Sequence, residues 1–242
     1  MSEPLLRIER VSRHFGGFAA LTDVSLEVAP GERFGLIGPN GSGKTTLINC
    51  VSGALSNDSG SIVFAGEAIT KLPAYQRTRR GIARSFQLPR PFTSMSVMEN
   101  LIVPLEFVVH RHSLHNADTR AEAMDILEKI GLADKAHTAS NRLTQVDLRK
   151  LELARAIAAK PKLLISDEAM AGLSTAESDD ILTLLFRLND EGMAVIMIEH
   201  IMRTVMKFSE RVAVLVAGRK IADGDPRAVA ADPEVVRAYL GE

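Results

Sequence analysis

The sequence predicts an α/β fold in which a mostly parallel sheet is flanked by helices. Short, continuously apolar runs typical of buried parallel strands recur at 163–165 and 194–198, and helical patterns alternate with them. A long helical stretch interrupts this alternation, and segments typical of antiparallel strands precede it. We therefore also expect a helical subdomain insert and an N-terminal antiparallel β-subdomain.

The antiparallel part is predicted from the first sixty or so residues of the chain. Segments 5–15 and 21–28 alternate apolar and polar residues on either side of a glycine turn, and a short strand follows at 61–64. Strands joined by tight turns pair antiparallel, because the chain reverses direction between them. These segments predict the β-subdomain.

The helical part is predicted between 88 and 160, where apolar residues recur at helical spacing and no strong strand pattern occurs. Pro161 ends this stretch, and an apolar strand follows it. We therefore expect a single domain, 1–242. Its core and β-subdomain come from 1–87 and 161–242, and its helical subdomain comes from 88–160.

A glycine-rich segment lies between the apolar strand 34–37 and a helical pattern. In this context G-x-x-x-x-G-K-[ST] predicts a phosphate-binding loop and a P-loop NTPase core, rather than a glycine turn without a ligand. Glycines let backbone N–H groups point inward, and the helix start adds its positive end. Lys44 can reach the terminal phosphates, and the Thr45 hydroxyl can ligate Mg²⁺. The residues expected to bind a nucleoside triphosphate are Gly38, Pro39, Asn40, Gly41, Ser42, Gly43, Lys44, Thr45 and Thr46.

Two acids, Asp167 and Glu168, follow the apolar strand 163–165. Ligands bind at the carboxyl ends of parallel strands, so acids in this position favour a role in chemistry. We expect Asp167 to hold Mg²⁺ through water. Glu168 would orient and polarise the water that attacks the γ-phosphate. An acid pair that only forms a turn is the alternative, and the phosphate loop upstream argues against it.

Composition excludes several classes of protein. A net charge of -1 and 5% aromatic residues without Trp argue against a nucleic-acid partner. The single cysteine, Cys50, excludes an internal disulfide and fits a reducing compartment. No signal peptide is expected before the first strand, and the longest apolar run, 101–105, is far shorter than the roughly 20 residues of a membrane span. Any membrane role must therefore come through a partner.

With these motifs in place, the chain resembles the nucleotide-binding subunits of ABC (ATP-binding cassette) transporters over nearly all of its length. Gln87, after the segment 82–86, matches the glutamine that this family places between core and helical lobe, and His200 matches its histidine after the next strand. The resemblance implies an ATPase in which Gln87 senses Mg²⁺ and the attacking water. His200 would hydrogen-bond the γ-phosphate. The catalytic residues would be Glu168, His200, Gln87 and Lys44, and the metal ligands Thr45, Gln87 and Asp167.

Phe15 occupies the place where this family has an aromatic residue that stacks on adenine. Stacking and burial look alike in a sequence, so two interpretations remain open. Phe15 either stacks on the base of bound ATP or packs in the core.

The chain departs from the family at the signature, which is Leu-Ser-Gly-Gly-Gln or close to it. Thr144 keeps a hydroxyl, but Val146 stands at the second glycine and Asp147 follows it. A β-branched side chain would obstruct the approach of backbone N–H groups to a γ-phosphate, and Asp147 would place a negative charge near it. The proline after the catalytic glutamate is Ala169, and Ser174 replaces an acid or amide in the interface loop.

These departures concern what the chain would lend to a second subunit, since the family holds ATP between two subunits. Thr144 would therefore contact ATP in the partner's site. The pattern predicts an asymmetric heterodimer in which one site hydrolyses ATP and the opposite site turns over slowly. The alternative is that Val146 is tolerated because the helix dipole remains intact.

Within the family, the segments 83–87, 98–101, 198–200 and 236–242 look most like the ATPase subunits of branched-chain (hydrophobic) amino acid importers. This resemblance implies transmembrane permease subunits, a second ATPase subunit and, indirectly, a periplasmic substrate-binding protein as partners. It also implies a peripheral location at the cytoplasmic face of the inner membrane. Lipopolysaccharide-export ATPases share a similar ending, and a soluble nucleotide-binding regulator or repair ATPase is a further alternative.

The histidines at 110, 112 and 115 lie close together in sequence. A metal site is conceivable, but no cysteine or acid completes a ligand set. A solvated loop between helices is the favoured interpretation.

Overall fold

A computed structural model describes residues 3–86, 88–110 and 117–240. Its strands are β1 (Leu6–Phe15), β2 (Phe18–Val28), β3 (Arg33–Ile37), β4 (Ser59–Phe64), β5 (Glu67–Ala68), β6 (Ile82–Ser85), β7 (Leu163–Asp167), β8 (Ala194–Ile198), β9 (Arg211–Val216) and β10 (Arg219–Gly224). Its helices are α1 (Lys44–Ser52), α2 (Ala74–Arg80), α3 (Val97–Pro104), α4 (Ala117–Ile130), α5 (Gln145–Ala158), α6 (Thr175–Asp190), α7 (Met202–Phe208), α8 (Pro226–Ala230) and α9 (Pro233–Leu240). A π-helical segment, Leu105–Val109, directly follows α3.

The central sheet has six strands in the order β10-β9-β3-β8-β7-β6. β3, β6, β7, β8 and β9 run parallel, and only the edge strand β10 is antiparallel to its neighbour. Every residue of β7 and β8 is buried, as expected for parallel strands with both faces covered. The carboxyl ends of β3, β7 and β8 therefore meet at one edge of the sheet, and the segments that follow these strands lie there together.

The second sheet has four strands in the order β2-β1-β4-β5, and its pairs are antiparallel. Leu6 pairs with Val28 on one side and with Phe64 on the other. These three side chains are at most 1% exposed, because the alternating apolar residues of each strand face one core. The predicted β-subdomain is confirmed.

The helical insert consists of α3, the π-helical segment, α4 and α5. Val97, Leu101, Leu127 and Leu151 are fully buried and belong to one apolar cluster that joins these helices to the core. The serine at 96 and the glutamate at 99 form a capping box that fixes where α3 begins. In the described residues no helix has both the length and the apolar character that crossing a bilayer requires.

Candidate active site

The loop between β3 and α1 is curled in a way that only glycine permits at two positions. Gly38 has φ 150° and Gly43 has φ 103°. A Cβ at Gly38 would collide with the carbonyl oxygen of Leu215, and a Cβ at Gly43 would lie 2.6 Å from that of Ala20. The loop can therefore bring its backbone N–H groups together in front of the N-terminus of α1, where an anion is stabilised.

Lys44 begins α1 and folds back over the loop. Its ammonium donates to the carbonyl oxygens of Gly38 at 2.7 Å and Pro39 at 3.0 Å. Burial lowers the pKa of this ammonium below its ordinary value, while the negative charges of Glu168 and Asp167 oppose that shift. The charge thus lies at the mouth of the loop and beside both acids, where it would meet the terminal phosphates.

The side chains available to bind Mg²⁺ offer oxygen donor atoms, which this hard cation prefers. Thr45 is exposed on the first turn of α1, and Asp167 ends β7 with 6% of its surface exposed. Among the described residues, no cluster of three or more histidines, cysteines or acids forms a metal cage. One hydroxyl and one carboxylate, completed by phosphates and water, is the donor set that Mg²⁺ takes at nucleotide sites, so the residues fit this ion. Gln87, the third expected ligand, lies outside the described residues.

Glu168 is held in the left-handed region of the backbone, at φ 49°, which a glutamate rarely adopts. Its N–H donates to the Ile198 carbonyl oxygen at 2.9 Å, which ties it to the neighbouring strand. This arrangement places its carboxylate oxygen Oε1 2.5 Å from Nε2 of His200. Two of the expected catalytic residues, 32 positions apart in the chain, are thus in direct contact.

Phe15 lies at the end of β1 with 49% of its surface exposed, and the Arg13 guanidinium lies 5.1 Å from the centre of its ring. A core phenylalanine would be buried, so the structure rules out the core interpretation. Stacking on adenine stays a prediction, and an accessible ring backed by a cation fits it.

Thr144 and Asp147 form a capping box at the N-terminus of α5. The Thr144 hydroxyl donates to the Asp147 carboxylate at 2.7 Å and accepts from the Asp147 N–H at 3.2 Å. The Lys135 ammonium pairs with the same carboxylate at 2.8 Å. The cap and Lys135 thus partly compensate the Asp147 charge, and its closeness to a phosphate bound by a second subunit stays a prediction. Ser174 likewise caps α6, with Glu177 as its reciprocal partner.

Of the histidines at 110, 112 and 115, the structure describes His110. His110 contacts Glu122 at 2.7 Å, and Lys160 pairs with the same carboxylate. His112 and His115 lie outside the described residues. The contact between His110 and Glu122 joins the end of the π-helical segment to α4.

Three charged residues near the site were not singled out by the sequence. Glu199, 3% exposed, accepts from the Met170 N–H at 3.0 Å, and so supports the loop that follows Glu168. Arg149, 7% exposed, donates to the Ala171 carbonyl at 3.1 Å and connects α5 to this loop. Arg84 pairs with Asp167. Arg84 and Glu199 stand within the segments 83–87 and 198–200 that carry the family resemblance, but neither segment indicates these contacts.

Comparison with known proteins gives two family matches. The ABC transporter family model matches residues 21–171, and the model described as branched-chain amino acid ATP-binding cassette transporter matches residues 219–242. Among the solved structures, the chain is similar to the ADP conformation of MJ1267, an ATP-binding cassette of an ABC transporter. The TM-score is 0.89 with 32% identity, covering 100% of both chains.

Curated relatives agree with these matches. The chain is 37% identical to the high-affinity branched-chain amino acid transport ATP-binding protein LivG of Escherichia coli K12, over 100% of both chains. It is 36% identical to BraF of Pseudomonas aeruginosa, over 100% of both, and 35% identical to the lipopolysaccharide export protein LptB of Haemophilus influenzae, over 98% of both. The chain therefore belongs to the ABC transporter family, as an ATP-binding subunit whose ATPase activity is coupled to transport.

Proposed function

We propose that this chain is one ATPase subunit of an importer for branched-chain or other hydrophobic amino acids, located at the cytoplasmic face of the inner membrane. The observation that carries the hydrolytic part is the contact of 2.5 Å between Glu168 and His200, at the sheet edge that also bears the phosphate loop. The cargo class is supported by the identity to LivG and BraF and by the match of residues 219–242.

The chain's own residues account for the steps of hydrolysis. The backbone N–H groups of the loop 38–46, in which Pro39 has none, and the Lys44 ammonium bind the phosphates and fix their orientation. Glu168 accepts a hydrogen bond from the attacking water and raises its nucleophilicity, and His200 orients that carboxylate and faces the γ-phosphate. Thr45, Asp167 and Gln87 would hold Mg²⁺, which would supply positive charge against the negative charge of the phosphates.

A docking surface for the permease subunits near residues 87–97 is supported by exposed apolar side chains at 86, 88 and 92. Phe86, Leu88 and Phe92 expose 42%, 69% and 41% of their surfaces. A cavity of about 250 Å³ adjoins Phe86 and reaches Pro104 of the helical insert. Exposed aromatic and aliphatic side chains beside a concave surface suit a short amphipathic helix of a membrane partner. Residues 88–160 would then move as one helical subdomain against the core when ATP binds.

The asymmetric heterodimer is supported by the local roles of the altered residues. Thr144 and Ser174 serve as caps of their own helices, and Val146 lies half-buried on the first turn of α5. The residues of the chain's own site keep the family pattern. We therefore propose that a second, unlike ATPase supplies the intact signature to this chain's ATP, and that the opposite site turns over slowly.

The test of the cargo class is isolation of the intact complex from membranes. We expect two hydrophobic permeases, an unlike ATPase and an uptake system whose ATPase is stimulated by a binding protein loaded with a branched-chain amino acid. The 35% identity to LptB keeps export of lipopolysaccharide as the second candidate. Copurification with export components would reject the importer, and two copies of this chain in the complex would reject the heterodimer. Recovery without any membrane subunit would instead favour the soluble regulator.

The test of the hydrolytic role is Glu168→Gln, with Glu191→Gln as the control. Glu191 is exposed and pairs with Lys129 at 3.0 Å, away from the site. The glutamine side chain keeps the shape but cannot take a proton, so we expect hydrolysis to fall by about 10²–10⁴-fold while ATP stays bound. Single-turnover hydrolysis and nucleotide retention after gel filtration measure both effects. Unchanged turnover in Glu168→Gln would remove this residue from the mechanism.

A further inference from the structure

The Arg84 guanidinium contacts three side chains, one of which is the expected metal ligand Asp167. Its Nη2 donates to Oδ2 of Asp167 at 2.6 Å, and its Nη1 donates to Oδ1 of Asn49 at 2.6 Å. The Phe86 ring covers the guanidinium, with 5.1 Å between the guanidinium carbon and the ring centre. The side chains of Arg84 and Asp167 are each 9% exposed.

The three contacts lead to three separate elements. Asn49 lies on α1, the helix whose N-terminus forms the phosphate loop, and Asp167 ends β7. Phe86 directly precedes the segment between core and helical insert, and its carbonyl oxygen lies 3.5 Å from a guanidinium nitrogen of Arg149. A planar guanidinium can make such divergent contacts at once, because its donors are fixed in a fork.

Stability alone is a poor explanation for this arrangement. Burying an ion pair costs desolvation of both charges, and the attraction offsets this only when the remaining donors are satisfied. Within the described part of the chain, the buried Nε of Arg84 has no hydrogen-bond partner. An apolar pair would fill the same space at lower cost. The geometry instead fixes the orientation of the Asp167 carboxylate relative to α1.

We propose that Arg84 is a positioning residue that holds Asp167 in the orientation required for Mg²⁺ and ties it to the phosphate-loop helix through Asn49. Arg84 holds the carboxylate oxygen Oδ2, which would leave Oδ1 as the ligand for the ion. This inference rests on the proposed role of Asp167 as a metal ligand. Partners that orient a metal-binding carboxylate in this way control metal affinity without touching the metal.

The decisive variant is Arg84→Lys, because lysine retains the positive charge but lacks the planar fork of guanidinium N–H donors. A change in the Mg²⁺ requirement then reports geometry rather than electrostatic repulsion between the side chain and the ion. Asn49→Ala, which removes one anchor of the fork, should shift the requirement in the same direction by a smaller factor. Arg211→Gln is the matched control, since Arg211 makes a two-pronged ion pair with Asp223 at 2.7 and 2.9 Å in the strand pair β9–β10.

The measurement is binding of trinitrophenyl-ATP to the purified chain, titrated with Mg²⁺, together with the thermal unfolding temperature of each variant. We expect Arg84→Lys to raise the half-saturating Mg²⁺ concentration about 10-fold, with affinity for the nucleotide in EDTA changed less than about 2-fold. Arg211→Gln should lower the unfolding temperature and leave the Mg²⁺ requirement unchanged.

A second arm separates failure of this inference from failure of the proposed site. Asp167→Asn should raise the Mg²⁺ requirement at least as much as Arg84→Lys. If Asp167→Asn has no effect, the metal assignment itself is wrong and the inference falls with it. If Asp167→Asn shifts the requirement but Arg84→Lys matches Arg211→Gln in losing only stability, Arg84 is a structural residue and the inference alone is overturned.

Discussion

At the scale of single residues, the site depends on features that a sequence pattern does not contain. The pattern of an apolar strand followed by two acids is sufficient to predict Asp167 and Glu168. It does not show that Glu168 adopts φ 49°, a conformation that costs on the order of 1–3 kcal/mol and persists only where the surroundings hold it. The bond from its N–H to Ile198 and the contact with His200 supply that support.

Glu199 illustrates the same limit. In the sequence it is a polar residue before the expected histidine, yet the structure buries it to 3% exposure next to Glu168. Burial raises the pKa of the Glu199 carboxyl above its ordinary value and Glu168 adds to this, whereas the Met170 N–H and His200 oppose it. A carboxylate this deeply buried is a position where the charge itself costs stability.

We therefore predict that Glu199→Gln is more stable than the parent protein at about pH 7. Glutamine keeps an acceptor for the Met170 N–H and removes the charge. A carboxyl whose folded pKa is raised binds its proton more tightly in the folded state, so the parent gains stability as pH falls through that pKa. The advantage of the variant should shrink toward the unfolded pKa of about 4.3. Urea unfolding across this range measures it, and a pH-independent difference between variant and parent would contradict the prediction.

At the scale of elements, the altered signature has a structural role, because Thr144 and Asp147 cap the N-terminus of α5. Thr144 and Asp147 satisfy two backbone N–H groups of α5 reciprocally, as Ser174 and Glu177 do for α6. The spacing of threonine and aspartate was visible in the sequence, but the family resemblance drew attention to phosphate chemistry instead. The ion pair with Lys135 could not have been predicted, because it depends on how the segment before α5 folds back.

From this cap we predict that Asp147 contributes to the free energy of unfolding. Burial alone would raise the pKa of the Asp147 carboxyl, but the hydrogen bonds from Lys135 and Thr144 hold it below its ordinary value. We expect Asp147→Ala to lower the free energy of unfolding by about 1–2 kcal/mol, since the cap and the ion pair are both lost. Denaturant unfolding measures this. Asp180→Ala, at an exposed position of α6, is the control, and equal effects of the two variants would show that the cap contributes nothing.

At the scale of the whole molecule, the fold was largely predictable because its signals are redundant. Apolar strands, helical spacing and glycine turns each indicate the same α/β core, and the insert is recognisable by the absence of strands between 88 and 160. The strand order was not predictable. It places β3 between β8 and β9, and so brings the phosphate loop beside His200, through pairings between residues that are far apart in the chain, such as Arg33 and Val195.

The proposed heterodimer gives the prediction that involves the whole assembly. Val146 stands where a glycine would let backbone N–H groups approach a γ-phosphate bound by the partner. If this contact limits the slow site, Val146→Gly should raise turnover there. A recovered transition-state contact of about 2–3 kcal/mol corresponds to a rate increase of roughly 30- to 150-fold.

The measurement is hydrolysis by a complex in which this chain carries Glu168→Gln, so that only the partner's site contributes. Leu148→Ala, at a half-buried position slightly further along α5, controls for a general loosening of the helix. Equal, brisk hydrolysis at both sites before any substitution would contradict the asymmetry. A failure of Val146→Gly to raise a slow rate would locate its cause outside the signature.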